Sequence, residues 1–412
     1  MIDTFIYDRT TRKKIILTIG LIFLFRVLTF IPVPFINQDS LSVMSQVGII
    51  GYINMFTGGA FANFSFMATG ISAYISASII IQLLTYAIPA LHDVQSAPGG
   101  DKIIKRYTII LGIFAAFFLS LGATLTLNSK YSILTEGAWY VYILIAIIHS
   151  IGTGIAVWIG ETITLKGFGN GVSLLIFVNI TTNLPRLIGT LATSTIEGIT
   201  SWYITLIAVV VSILVVISIV IANLSERRIP LQYSKATARG ETMFKTKSFL
   251  PIKLNLSGVM PIIFATTIMQ IIATIGEYSE GPVGNFIKEY LYYGKIPYFF
   301  LTALLIFGFT YLYTALIFNP KEISNVLQSN GAIIPGIKPG KETTEYIAKV
   351  NKSMKFYGAF YLAMISLLPS LIFSLFALNG IATTSMMILV GVALETTQKI
   401  QIEIQAKTAK EL

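Results

Sequence analysis

The sequence predicts an all-α polytopic membrane protein, with ten transmembrane helices in two pseudo-symmetric five-helix halves of inverted topology around a central pore. Three observations carry that prediction. The chain is 54% hydrophobic and only 12% charged, whereas soluble domains carry about 25% charged residues. Its apolar residues gather into ten runs near the roughly 20 residues that cross a bilayer. The basic residues fall almost entirely on one side of those runs.

The first run, 15–32, follows a polar, basic tail, MIDTFIYDRTTRKK. It is long enough to span and ends in Pro-x-Pro instead of a small-residue cleavage site, so it reads as a span and not as a secretory signal. Next comes 48–65, GIIGYINMFTGGAFANFS, which is apolar but broken by glycines at 48, 51, 58 and 59. Each glycine makes continuous helix costly by about 1 kcal/mol. Without an intervening charge it leads into the second span, 66–88. Irregular backbone survives at membrane depth only where protein or a water-filled cavity surrounds it, so this stretch points to a pore with a segment folded into it. The remaining spans are expected at 106–127, 138–159, 171–189, 202–223, 257–276, 298–318, 356–377 and 381–399.

An even number of spans puts both termini on one side, and the 29 lysines and arginines decide which. The opposite side holds only Lys130, Arg186, Lys288 and Lys295, while Arg26 lies inside the first span. By the positive-inside rule both termini are cytoplasmic. Topology therefore accounts for the net charge of +10 without nucleic acid. Two cytoplasmic loops, 224–256 and 319–355, are long, basic and turn-rich, and loops of that length without evident secondary structure are uncommon unless functional. They read either as topology-setting charge or as a docking surface for a large cytoplasmic partner. Dividing the chain near Thr195 gives an N-terminal half, 1–195, and a C-terminal half, 196–412, of five spans each. Because five is odd, the halves enter the membrane with opposite topology, the layout of an inverted repeat.

The spans are nearly bare of ionisable groups. Arg26 lies in the first and His149 in the fourth, and Glu161 and Glu395 stand near cytoplasmic ends. His149 reads as a packed or hydrogen-bonded helix residue, and Arg26 as a partner for a backbone carbonyl or for the 48–65 segment. With no cysteine, thiol chemistry, disulfides and thiolate metal sites are excluded. There is no nucleotide-binding loop, metal-ligand spacing or nucleophile–base pairing, so no enzyme activity, catalytic residue, metal or cofactor is expected. A ten-span secondary transporter of small molecules is the alternative, but transporters carry ionisable groups deep in their spans, and carboxylates are missing there.

Six motifs remain. They are RVLTFIPVPFI closing the first span, GGAFANFSFMATGISAYISASIIIQLL through the second, and GFGNGVSLLIF opening the fifth. ERRIPLQYSK and LPIKLNLSGVMPIIFA lead into the seventh, and FNPKEISNVLQSNGAIIPGIKPGKETTEYI covers the second long loop. In this order, over nearly the whole chain, they resemble the SecY family of protein-translocation channels. The resemblance implies an hourglass channel for unfolded polypeptide in the bacterial cytoplasmic membrane, plugged from outside and opening sideways to lipid. The plug falls on Gly51 to Asn63, including Tyr52, Met55, Phe56, Gly58 and Gly59. The constriction ring falls on Ile71, Ile75, Val172, Ile176, Ile263 and Ile388, and the lateral gate lies between spans 2–3 and 7–8. The basic loops, with Arg227, Arg228, Lys235, Arg239, Lys338 and Lys341, imply docking of a SecA-type motor ATPase or the ribosome. Small SecE-like and SecG-like membrane subunits are the other implied partners.

The chemistry of the ring positions agrees with this. Ile71/Ile75 and Val172/Ile176 are i,i+4 pairs, each projecting from one helix face, and a narrow aliphatic collar blocks ions by dewetting. On periodicity alone the six positions read as ordinary lipid-facing or packed aliphatics; the resemblance assigns them to the ring. Two departures stand out. Ala73 replaces a common proline, implying a softer kink in span 2. Lys338 replaces the usual arginine of a PGIRPG motif, keeping the charge but losing bidentate geometry. The short 2–3 loop is shared with accessory paralogues that export a few glycoproteins, whereas the pore and loop motifs are those of a general-purpose channel. The sequence leaves both open.

Overall fold

A computed structural model describes residues 9–37, 57–198, 200–233, 248–279, 281–376 and 382–411. Each predicted span coincides with a helix. In chain order these are α1 (Arg9–Leu28), α2 (Ser72–Ala87) with the short α3 (Pro89–Ser96), α4 (Gly100–Tyr131), α5 (Trp139–Lys166), α6 (Gly171–Ile196) and α7 (Trp202–Leu224). After two strands, β1 (Glu226–Tyr233) and β2 (Ser248–Lys253), come α8 (Met260–Tyr278), α9 (Pro282–Tyr290), α10 (Ile296–Ile317) and α11 (Pro320–Ser329). Strand β3 (Ala332–Ile333), α12 (Lys341–Leu375) and α13 (Thr383–Glu411) complete the fold. Among the described residues six helices are long and apolar enough to cross a membrane, and α2 with α3, bent by 102° at their junction, makes a seventh if the pair is one span.

Local chemistry sets where these helices begin. Asn170 caps α6, its side-chain oxygen accepting from the amides of Val172 and Ser173 at 3.1 and 3.4 Å. Asn319 does the same for α11. Proline stands in the first turn of α3 and of α8 to α11, where its missing N–H has no helical partner to lose.

Span 2 departs from expectation. Helix was predicted from residue 66 but starts at Ser72, because the chain turns through positive φ at Gly58, Gly59, Phe64 and Gly70. Ala73 lies in the first helical turn, after this break, so a proline there is not what ends the irregular stretch. The sharp bend is at the other end, where Ile88 is extended ahead of Pro89, as residues before proline prefer.

The two long loops are also more structured than expected, and the fold is not purely helical. They build one three-stranded sheet of order β2-β1-β3. Arg228 pairs with Pro251 and Ile229 with Leu250, while Gln232 and Tyr233 pair with β3. Pro230 is tolerated because β3 stops short of it, and Pro251 lies on an edge strand. Ile229, Leu231 and Ile252 point into a small core with Leu327 of α11 and Ile347 of α12. Burying those side chains, at roughly 1.5–3 kcal/mol each, holds the two loops together.

The main core draws on α1, α2, α5, α6, α7, α8, α10, α12 and α13. Helices from the first half meet those from the second where α2 touches α8 and α6 touches α7 and α13. The periphery is apolar: Phe23, Phe118, Trp202 and Leu304 are all well exposed, as a lipid solvent requires.

Candidate pore, plug and docking surface

The six aliphatic side chains assigned to a ring come together. Ile71 stands at the start of α2, and the Ile75 amide donates to the Ile71 carbonyl at 3.0 Å, stacking the pair one turn apart. Ile176 is one turn beyond Val172 in α6, oriented by the Asn170 cap. Ile263 lies in the first turn of α8, its amide donating to Val259, and Ile388 comes from α13. Ile71, Ile75, Ile176, Ile263 and Ile388 are all buried in one hydrophobic cluster, with Val172 packed against it. Four helices thus contribute the six aliphatic side chains to one buried apolar cluster.

Of the plug positions, Gly51, Tyr52, Met55 and Phe56 lie outside the described residues. Gly58, Gly59 and Asn63 are described, and Ala60 between them belongs to the same buried cluster as the ring aliphatics. Asn63 is exposed, and its amide donates to the Gly59 carbonyl at 3.2 Å.

The stretch from Gly58 to Thr69 is held at both ends. At the first, Arg26 Nη1 donates to the Gly58 carbonyl at 3.2 Å and to Asn179 Oδ1 at 3.5 Å. At the second, the Thr69 hydroxyl donates to the His149 carbonyl and lies 3.0 Å from the Thr153 hydroxyl. Gly152 is required there, because an added Cβ would stand 2.1 Å from the Phe66 carbonyl oxygen. His149 is structural, with Nδ1 2.7 Å from Ser120 Oγ and its ring against Phe64. Asn179, Gly152 and Thr153 were not singled out from sequence. The usable signal was Asn179 itself, a carboxamide inside an apolar span.

Among the docking positions, Arg227 and Arg228 are exposed on β1. Arg228 is tied to Glu226 at 2.7 Å and stacks over Phe249 at 4.7 Å. Lys338, exposed before α12, lies 3.9 Å from Glu342, and Lys341 opens that helix. The sheet joins these positions, 110 residues apart in the chain, into one folded unit. Lys235 and Arg239 lie outside the described residues. The two carboxylates near the predicted cytoplasmic ends are neutralised, Glu161 by Lys105 of α4 and Glu395 by Lys399 at 3.0 Å. Glu395 also lines a recess of about 290 Å³ with Asn170, Asn223, Asn255 and Gln398 on one hand and Leu256, Met260, Tyr313 and Leu394 on the other.

Residues 65–397 match the family profile described as SecY. The SecY subunit of the protein translocase of Synechocystis is 36% identical over 405 residues, covering 95% of this chain and 91% of that protein. The chain belongs to the SecY family. The SecY of Bacillus licheniformis is 33% identical over 416 residues, covering 98% and 96%. Three solved structures share the fold: a protein-conducting channel (TM-score 0.71, 15% identity), a SecY studied for its plug domain (0.69, 16%), and Sec61 in a canine ribosome–channel complex (0.67, 14%). Each covers 98% of this chain and 94% of its own. SecY membership favours a translocation channel over the secondary-transporter alternative.

Proposed function

We propose that the chain is a passive protein-conducting channel that passes unfolded secretory polypeptides across the cytoplasmic membrane of a bacterium and releases membrane segments sideways into lipid. The observation that carries this reading is the meeting of Ile71, Ile75, Ile176, Ile263 and Ile388 from four helices in one buried cluster that also takes in Ala60. With Val172 they form the constriction, and Gly51–Asn63 the plug. An extended chain threading the collar meets surfaces that shed water but offer no hydrogen bond, so it is neither held nor chemically selected, and in its absence the dewetted collar and the plug stop ions.

The halves 1–195 and 196–412 part at the lateral gate between spans 2–3, α2 and α4, and spans 7–8, α8 and α10. The bare spans leave no internal source of energy, so force comes from outside, through a SecA-type motor or the ribosome docked on Arg227, Arg228, Lys235, Arg239, Lys338 and Lys341. One solved relative of this fold is itself a ribosome–channel complex. SecE-like and SecG-like subunits complete the assembly, and the distribution of basic residues supports cytoplasmic termini.

Deleting Gly51–Asn63 tests the reading. Purified channels in planar bilayers are expected to leak ions when no polypeptide is present; a closed conductance equal to that of the intact channel removes the plug assignment.

A further inference from the structure

The first span carries a guanidinium, which remains charged at any physiological pH and is costly inside a membrane. Among the described residues it has no carboxylate within ion-pair distance. Arg26 instead spends its Nη1 donor on two neutral acceptors, the Gly58 carbonyl and Asn179 Oδ1. It lies in the last turn of α1, where a cation suits the helix dipole, with its guanidinium 5.3 Å from the centre of the Phe30 ring.

The partner at Gly58 is built for this contact. Its φ is +65°, and an added Cβ would stand 2.6 Å from Arg26 Nη1 and 2.7 Å from Asn179 Oδ1. Any other residue would be both strained and pushed into the two groups that grip the backbone. Asn179 is 3% exposed on α6, and Arg26 is on α1, so both belong to long helices outside the plug segment. Gly58 belongs to the segment read as the plug. One contact of the guanidinium is therefore permanent and the other releasable.

We propose that Arg26 and Asn179 form a latch on the Gly58 carbonyl that sets how firmly the plug seals; this deepens the plug reading and rests on it. The choice of asparagine follows. A carboxamide orients the guanidinium without neutralising it, leaving the charge directed at the plug's carbonyl. A carboxylate of the same shape would take that charge for itself and loosen the plug. Release then costs one charge-assisted hydrogen bond, which a polypeptide entering the pore is able to displace.

The test uses the full channel in planar bilayers, scoring leak without polypeptide. Losing such a bond in Arg26→Met is expected to raise leak about tenfold, and Arg26→Lys to recover part of the seal. Asn179→Asp, nearly isosteric, is expected to leak more than the unaltered channel, although a merely structural Arg–Asp pair would leave leak unchanged or lower. Combined with deletion of Gly51–Asn63, Arg26→Met is expected to add nothing further. Unchanged leak in Arg26→Met and Asn179→Asp, beside a leaking deletion, overturns the latch and leaves the plug standing. Additive effects also overturn it, because Arg26 would then act on the pore wall. A deletion that does not leak removes the plug reading, and the latch with it.

Discussion

The aliphatic main core and the small three-stranded sheet are built from the same chemistry, and the proposed function turns them to opposite uses. In the sheet unit, Ile229, Leu231, Ile252 and Ile347 are a scaffold: they lock two loops together so that Arg227, Arg228 and Lys338 project outward in a fixed arrangement. In the main core, under the function proposed above, the isoleucines themselves are the working surface. Under the same proposal the basic groups exposed by the sheet suit a partner, and the aliphatic groups buried in the ring suit having none. A change in the ring should therefore act on sealing, and a change on the sheet's rim should act on coupling to an external motor.

The largest separation of the two is expected from reversing Arg227, Arg228 and Lys338 to glutamate together. Motor-stimulated export in proteoliposomes is expected to be abolished while the closed conductance of the channel stays as it was. Normal export in that variant removes the docking role of the sheet. A smaller effect, in the opposite pattern, is expected from Ile263→Asn. Burying an unpartnered carboxamide costs about 1–2 kcal/mol, enough to shift the closed channel toward a wetted, leaking state by roughly 5- to 30-fold. Binding of the motor is expected to be unchanged. A variant as tight as the original would mean that dewetting at this position contributes nothing to the seal.

Sequence and structure agree most closely where the determinants are local. Each of the ten apolar runs coincides with a helix, and the run expected from residue 171 starts where α6 does, behind the Asn170 cap. The sheet escaped because its strands are short and interrupted by Pro230 and Pro251, and because β3 is two residues pairing with a strand about 100 residues earlier. Such pairing is decided by the tertiary core around Ile347 and leaves no periodicity to read. The start of span 2 was misplaced for a similar reason. Positive φ at Phe64 and Gly70 goes with contacts to α5 and to the segment that follows α1, among them the Val33 amide donating to the Phe64 carbonyl. Arg26 was visible as an oddity whose expected partner was a backbone carbonyl or the glycine-rich segment. That the partner is Gly58, with Asn179 beside it, depends on contacts spanning 32 and 153 residues.

The central claim is that polypeptide passes through the aliphatic cluster and not along the lipid-facing rim. Photo-cross-linking decides it most directly, with a photoreactive residue placed at Ile75 in the cluster or at Phe118, which is 67% exposed on α4, in channels arrested with a stalled secretory chain. The account predicts an adduct to the stalled chain from Ile75 and none from Phe118. Equal labelling from Phe118, or no adduct from Ile75, would contradict it.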